Sequence, residues 1–185
     1  MRVIAGQYKG KTLVVPRGHD VRPTIARLKE SYFNIVDSEI ENARFLDLCA
    51  GSGAMGIEAL SRGADYVIFL ERNKKAVQSI RSNLLRCGIR QQFDLIHGDL
   101  FQELPRLTAR KEGFDLIYFD PPYFGDIYER GLQQIADGGL LNENGLLAAH
   151  HFHKTEIPSQ VEGLSRVRQT RHGDAQLSFY QTADL

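Results

Sequence analysis

Four consecutive residues that follow an apolar run have the types needed to bind an amino group on an aromatic ring. They are Asp120, Pro121, Pro122 and Tyr123. The prolines hold the backbone extended and lack amide hydrogens, so the segment offers mainly acceptors, namely the Asp120 carboxylate and main-chain carbonyl oxygens. Fixed acceptors can aim a conjugated amino group at an electrophile, and an aromatic ring can stack on a planar substrate. The pattern predicts a catalytic segment, although a rigid turn after a strand would use the same residues.

A second segment has the glycine spacing of a nucleotide-binding turn. Gly51, Gly53 and Gly56 match G-x-G-x-x-G at the predicted junction of a strand and a helix. Glu71 ends the next apolar run, where a carboxylate can accept hydrogen bonds from both hydroxyls of a ribose. Asp99 follows the third run and could accept a hydrogen bond from an adenine amino group. The residues at these three strand ends together predict a site that binds a nucleoside.

The nucleoside could belong to a dinucleotide or to S-adenosylmethionine. Asp47 lies just before the glycine turn, and a carboxylate is unfavourable beside a pyrophosphate but favourable beside a sulfonium or an ammonium group. Asp47 therefore favours S-adenosylmethionine, with a carboxylate that only caps the turn as the alternative. The predicted cofactor-binding residues are these side chains and their neighbours: Asp47, Ala50, Gly51, Ser52, Gly53, Glu71, Arg72, Asp99 and Leu100.

A regular alternation of apolar runs and helical stretches must position these segments. It predicts an α/β fold with a Rossmann-like, mostly parallel seven-stranded sheet that ends in an antiparallel hairpin. A small β-hairpin and a helix near Thr24 precede the sheet, so we expect a basic extension over residues 1–40 and a main domain over residues 41–185. The predicted strands lie at 45–49, 66–70, 93–96, 116–119, 146–149, 165–171 and 176–181, and the helices near 54–62, 73–87, 100–110 and 126–137.

Composition narrows the class of protein. The chain has 185 residues, 42% hydrophobic and 25% charged, which is typical of a globular protein and excludes disordered and fibrous classes. No apolar run approaches the ~20 residues that a membrane-spanning helix needs, and the first residues lack the pattern of a secretory signal. Cys49 and Cys87 are the two cysteines, and without metal-ligand spacing they predict buried thiols in a reducing cytoplasm.

The charge is unevenly distributed although the formal net charge is zero. Residues 1–30 have seven basic and two acidic side chains, so the rest of the chain is net negative. A basic segment on an acidic body predicts a surface that binds anions such as nucleic-acid phosphates. A basic segment that only keeps the protein soluble is the alternative.

Three histidines near the predicted fifth strand could suggest a metal site. They are His150, His151 and His153. Neighbours on a strand point to opposite faces, and no cysteine or carboxylate completes a tetrahedral set. We therefore predict no metal ion.

These motifs together resemble the RsmD-type family, which methylates the exocyclic amino group of a guanine in bacterial small-subunit (16S) ribosomal RNA within a partly assembled 30S particle. The resemblance spans essentially the whole chain. Besides the glycine turn and Asp120–Tyr123, it rests on Met1–Gly6, Lys9-Gly10, Arg22–Thr24, Arg27, Lys29-Glu30, Phe33-Asn34, Gly173-Asp174 and Leu177–Tyr180.

The resemblance implies a class I methyltransferase fold and S-adenosylmethionine as cofactor. It also implies that Asp120–Tyr123 bind the guanine. We expect a cytoplasmic enzyme that is a monomer, binds no metal ion and does not associate with a membrane. The residues expected to contact RNA are Arg2, Lys9, Arg22, Thr24, Arg27 and Lys29.

The chain departs from the family pattern at four positions that bear on substrate contacts. Ala26 replaces an acid, His150 replaces a glutamate, and His172 and Ala175 stand where tyrosine and threonine are usual. Two other functions remain open: amino-group methylation of DNA adenine, DNA cytosine or protein glutamine, and a non-catalytic RNA-binding assembly factor that retains the cofactor fold.

Overall fold

A computed structural model describes residues 1–15, 23–122 and 126–183, with the side chains of residues 23–25 left out. Two predicted site residues, Arg22 and Tyr123, lie outside the described residues, as does the Thr24 side chain. No described helix is long and apolar enough to cross a membrane.

The described strands form one sheet. They are β1 (Arg44–Leu48), β2 (Tyr66–Glu71), β3 (Phe93–His97), β4 (Phe114–Phe119), β5 (Leu141–Phe152), β6 (Gln160–Val161), β7 (Leu164–His172) and β8 (Ala175–Thr182). Their order is β3-β2-β1-β4-β5-β8-β7-β6. The first five strands are parallel and the last three pair antiparallel, which confirms the predicted fold class.

Five helices within the described ranges cover the two faces of the sheet. They are α1 (Pro23–Ile35), α2 (Ala54–Ser61), α3 (Lys74–Cys87), α4 (Leu100–Ala109) and α5 (Ile127–Asp137). Alternate residues of the buried strands point to opposite faces, so two core clusters form. One joins α1, α2 and α3 to the sheet through side chains such as Tyr32, Ile57 and Ile80, and the other joins α4 and α5 through Leu104 and Leu132.

One detail of the sheet differs from the sequence-based expectation. The described sheet has eight strands because β6, only two residues long, pairs with the start of β7. At the amino terminus the two arms of the expected hairpin are paired by an antiparallel bridge between Arg2 and Thr12 and by backbone hydrogen bonds from the Val3 amide to the Lys11 carbonyl and from the Leu13 amide to the Met1 carbonyl. Contacts with α2 also hold this backbone.

Glu58 on α2 is the main anchor of residues 1–13, which we call the amino-terminal segment. Its carboxylate accepts hydrogen bonds from the amides of Ile4 and Ala5 at 2.8 and 2.9 Å. It also pairs with Lys29 Nζ at 2.7 Å and Arg62 Nε at 3.0 Å, and its side chain is fully buried. Four donors on one buried carboxylate tie the segment and α1 to the helix that follows the glycine turn.

We expect a Gly6→Ala substitution to dislodge the amino-terminal segment. Gly6 has φ 77°, and an added Cβ would lie 1.6 Å from the Ser61 carbonyl oxygen, so the backbone would have to move. Gly10→Ala is the matched control, because Gly10 has φ 85° and open space around an added Cβ. The left-handed conformation alone costs about 1–2 kcal/mol, and the clash at Gly6 adds about 1–3 kcal/mol. Urea unfolding measures both variants, and equal losses would contradict the close approach.

Candidate active site

The candidate site lies where the chain reverses its direction of travel across the sheet. From β1 the chain moves outward to β2 and β3, and then crosses to β4 on the other side of β1. Ligands of open α/β sheets bind at the carboxyl ends of the two strands that flank such a point. The glycine turn follows β1 and Asp120 follows β4, so the structure brings the two predicted segments together. Their backbones are joined by a hydrogen bond from the Asp120 amide to the Leu48 carbonyl at 3.2 Å.

Glu71 connects the glycine turn to β2. One carboxylate oxygen accepts a hydrogen bond from the Gly51 amide at 2.8 Å, and the other accepts one from the Asn73 amide at 2.7 Å. Gly53 lies just before α2 as its N-cap with φ 73°, and an added Cβ would lie 3.2 Å from Ile80. The turn therefore requires a residue without a side chain at this position.

Asp47 is buried beneath the turn and accepts a hydrogen bond from the Gly56 amide at 2.9 Å. This backbone contact is the alternative that the sequence left open for Asp47. Burial raises the pKa of Asp47 well above its ordinary value, and the nearby charges of Asp120 and Glu71 raise it further against the effect of the Gly56 amide. Three carboxyl groups thus surround the turn, and the site favours a cation.

The other predicted cofactor residues lie along the same edge of the sheet. Asp99 is partly exposed and caps α4, since its carboxylate accepts a hydrogen bond from the Phe101 amide at 3.0 Å. Arg72 is exposed and Leu100 is buried. Ala50 and Gly51 are half-buried, whereas Ser52 and Gly53 are buried.

Asp120 has a partner that the sequence did not reveal. Its Oδ1 lies 2.8 Å from Nδ1 of His150, whose side chain is 7% exposed against 40% for Asp120. The sequence marked His150 only as a departure from a family pattern. The register of parallel strands was the available signal, because Phe119 on β4 pairs with Ala149 on β5 and the next residues are Asp120 and His150.

The ionisation of His150 follows from this contact. Burial lowers the pKa of the imidazole, but the Asp120 charge and hydrogen bond outweigh burial and raise the pKa of His150 above its ordinary value. Beside the pair, Pro121 is buried and Pro122 is exposed.

The predicted RNA-contacting residues divide into two groups. Arg2, Lys9 and Arg27 are exposed. Lys29 is 2% exposed and pairs with Glu58, and its Nζ also donates to the Arg2 carbonyl at 3.1 Å. The structure thus gives Lys29 protein partners in place of a phosphate. A groove of about 640 Å³ between the amino-terminal segment and α1 is lined by Arg2, Lys9, Ala26, Lys29 and Glu30 among others.

The histidines and Cys49 are the described residues near the site that could support other chemistry. No group of three histidine, cysteine, aspartate or glutamate side chains could hold a metal ion there. His151 instead contacts Ser178 Oγ at 2.9 Å. Burial raises the pKa of the Cys49 thiol, and the nearby carboxylates of Asp120, Glu71 and Asp47 raise it further, so the thiol stays neutral.

Comparisons with known proteins match nearly the whole chain. The family described as "Conserved hypothetical protein 95" matches residues 1–181. The "Putative rRNA methyltransferase YlbH" of Bacillus subtilis is 36% identical over 181 residues, or 98% of each chain. The "Ribosomal RNA small subunit methyltransferase D" of Escherichia coli K12 is 28% identical over 98% of this chain and 89% of its own. A solved structure, "Putative methyltransferase yhhF from Escherichia coli", superposes with a TM-score of 0.86 and 29% identity, covering 98% of this chain and 97% of the other.

Proposed function

Because the chain belongs to the family described as conserved hypothetical protein 95, we propose that it transfers a methyl group from S-adenosylmethionine to a guanine exocyclic amino group in small-subunit ribosomal RNA. The observation that carries the proposal is the position of Asp120 at the end of β4, where its carboxylate is partly exposed and its main-chain amide donates a hydrogen bond to the carbonyl of Leu48, just before the glycine turn. The ribosomal substrate is supported by the names of relatives that match 98% of this chain. The guanine is supported by the resemblance to the RsmD-type family.

The donor set around the glycine turn fits S-adenosylmethionine. When bound, this cofactor supplies an electrophilic methyl group on a sulfonium. Glu71 and Asp99 would bind the nucleoside, because each carboxylate keeps acceptor capacity beyond its backbone contacts. The charge of Asp47 would offset the positive end of the cofactor, because the buried Asp47 carboxyl lies with Asp120 and Glu71 in a cluster of acids that favours a cation.

Asp120 would act on the amino nitrogen of the substrate. Its free oxygen and the main-chain carbonyls near Pro121 would accept the two amino hydrogens, which draws the nitrogen lone pair out of conjugation and aims it at the methyl group. The carboxylate also stabilises positive charge that develops on nitrogen. The proton that nitrogen then loses would pass to Asp120 or to solvent, since this side chain is 40% exposed.

The basic surface beside the groove would hold the RNA. Arg2, Lys9 and Arg27 are exposed, and contacts with phosphates give affinity that falls as salt rises. The target guanine would leave its local stack to reach Asp120. In this proposal residues 1–40 act as an RNA-binding extension of a catalytic domain over residues 41–185, working as a monomer on a 30S particle.

A methyl-transfer assay with labelled cofactor tests the function directly. It compares naked 16S ribosomal RNA, partly assembled small subunits, DNA and a protein extract, followed by mass mapping of the product nucleoside. Label on a guanine amino group in ribosomal RNA is the expected result. Label only in DNA or protein would contradict the proposed substrate, and cofactor binding without transfer to any substrate would support a non-catalytic assembly factor.

We expect an Asp47→Asn substitution to weaken cofactor binding while making the folded protein more stable. Asparagine keeps the acceptor for the Gly56 amide but removes the charge, so we expect affinity for S-adenosylmethionine to fall roughly 10-fold. A carboxyl whose pKa is raised by folding destabilises the folded state increasingly as pH rises. The ligand-free variant should therefore be more stable than the unaltered protein at pH 7, with the difference disappearing in acid.

Calorimetric titration and urea unfolding measure the two effects. Asp65→Asn is the control, because Asp65 is exposed at the opposite edge of the sheet, just before β2. Unchanged cofactor affinity in Asp47→Asn would contradict the proposed charge contact.

A further inference from the structure

Strand pairing places a buried imidazole directly behind the Asp120 carboxylate. β4 and β5 are parallel neighbours, and the pairing of Phe119 with Ala149 brings the next residue of each strand together. His150 is 6% exposed, and its main-chain carbonyl accepts a hydrogen bond from the Tyr128 hydroxyl at 2.9 Å. The backbone of His150 is therefore held by α5 and by β8, where it pairs with Leu177.

The contact with His150 places the two carboxylate oxygens of Asp120 in different environments. Oδ1 lies 2.8 Å from His150 Nδ1, and since an ionised carboxylate only accepts, the hydrogen must be on Nδ1. Among the described residues, Oδ2 has no hydrogen-bond partner, and the side chain as a whole is 40% exposed. A carboxylate held through one oxygen by a buried donor loses rotational freedom, so the second oxygen has a defined position.

We propose that His150 is a positioning residue for amino-group methylation, which holds the Asp120 carboxylate through Nδ1 and, by its protonation, switches the charge of the pair between minus one and zero. This inference rests on the proposed function of Asp120 and adds the residue that orients it. The nitrogen that attacks the methyl group becomes positively charged, so a neutral imidazole leaves Asp120 free to stabilise that charge, whereas an imidazolium opposes it.

Ionisable groups on three elements face His150 in the described part of the chain. Asp120 lies on the β4 side, the Tyr128 hydroxyl on the α5 side, and His151 follows on β5. Asp47 and Glu71 lie beyond Asp120, around the glycine turn. The charge and hydrogen bond of Asp120 favour a proton on His150, which agrees with the raised pKa of its imidazole.

Two substitutions separate the hydrogen bond from mere packing. In asparagine the amide nitrogen is two bonds from Cβ, as Nδ1 is in histidine, so His150→Asn keeps a donor near the same place. His150→Leu fills similar volume without a donor. We expect His150→Leu to lower kcat roughly 10- to 100-fold with little change in the KM for cofactor, and His150→Asn to stay within about 5-fold of the unaltered protein. His153→Gln is the control, because the imidazole of His153 also lies near an aspartate, 3.7 Å from Asp174, but that aspartate is 81% exposed.

The pH dependence of kcat distinguishes positioning from structure. In the unaltered protein kcat should fall as pH falls through the pKa of His150, whereas in His150→Asn this acidic limb should disappear. Equal activity of His150→Leu and the unaltered protein, or an acidic limb that persists in His150→Asn, would overturn the proposal.

An NMR titration of the ligand-free protein tests the pair without any reaction. The pKa of the His150 imidazole should lie above its ordinary value in the unaltered protein, and this pKa should be lower in Asp120→Asn. An unchanged pKa of His150 in that variant would contradict the contact between His150 and Asp120. If ribosomal RNA is not methylated at all but the titration behaves as expected, the proposed function fails while the pair stands.

Discussion

Replacing Asp120 with alanine is expected to lower kcat for methyl transfer about 100- to 1000-fold, the loss typical when one preorganised group that stabilises transition-state charge is removed. The variant loses the acceptor that orients the amino group and the charge that stabilises the nitrogen as it attacks. The backbone of the site should remain in place, because the contact between β4 and the glycine turn after β1 is made by the Asp120 amide and not by its side chain. Affinity for S-adenosylmethionine should change far less than kcat.

Single-turnover transfer to small subunits, with cofactor affinity measured in parallel, gives both quantities. Asp65→Ala is the matched control, since it removes an exposed aspartate at the opposite edge of the sheet. Transfer by Asp120→Ala at nearly the original rate would contradict the role given to Asp120. Equal losses of rate and cofactor affinity would instead assign Asp120 to the cofactor site.

Replacing Glu58 with alanine is expected to cause the largest loss of stability, about 3–5 kcal/mol, as is usual when one partner of a buried ion pair is removed. The substitution leaves the buried Lys29 ammonium without its carboxylate and the Ile4 and Ala5 amides without acceptors. Since whole domains are stable by about 5–15 kcal/mol, the amino-terminal segment should become susceptible to proteolysis.

The loss in Glu58→Ala should depend on pH in a defined direction. Burial raises the pKa of Glu58, but the charge and hydrogen bond of Lys29 and the Ile4 and Ala5 amides outweigh burial and lower it. A carboxyl with a lowered pKa stabilises the fold above its unfolded pKa, and this contribution is lost as pH falls through the folded value. Urea unfolding should therefore show the full difference at pH 7 and a smaller one in acid.

Asp37→Ala is the control for the Glu58 variant. Asp37 also pairs with Arg62, at 3.6 Å, but its side chain is 76% exposed. Exposed pairs contribute about 0–1 kcal/mol, so this substitution should have little effect. A comparable loss in both variants would mean that Arg62, and not the buried contact with Lys29, is the important partner.

The order of strands and helices could be predicted because local sequence carries it. Buried parallel strands need continuous apolar runs, and the stretches between them repeat at the helical period. Two strands differ from the prediction because part or all of their length lacks an apolar run. The sequence predicts β5 only at 146–149, whereas the strand covers Leu141–Phe152, because the polar residues at 142–144 interrupt the apolar pattern of its first part. β6 is too short to have a pattern of its own.

The candidate site also contains residues that the sequence identifies and residues whose contacts it does not predict. The glycine turn, Glu71 and Asp120 could be identified because each is a short motif with its chemistry in adjacent residues. Lys29 shows why a contact cannot be predicted from charge alone. Its positive charge suggests a phosphate contact, but in the structure it is buried and pairs with Glu58. Charge is a property of the residue, but exposure is a property of the fold.

The sequence by itself determined which acids, glycines and prolines would meet at one edge of the sheet, because strands that alternate with helices must end at the same edge. Only the tertiary structure decided that His150 holds Asp120 and that Glu58 holds Lys29. These pairs join residues 30 and 29 positions apart in the chain, and neither has a local motif. Their contacts depend on strand register and on the close approach of helices, which are fixed when the core packs and not by the neighbours of each residue.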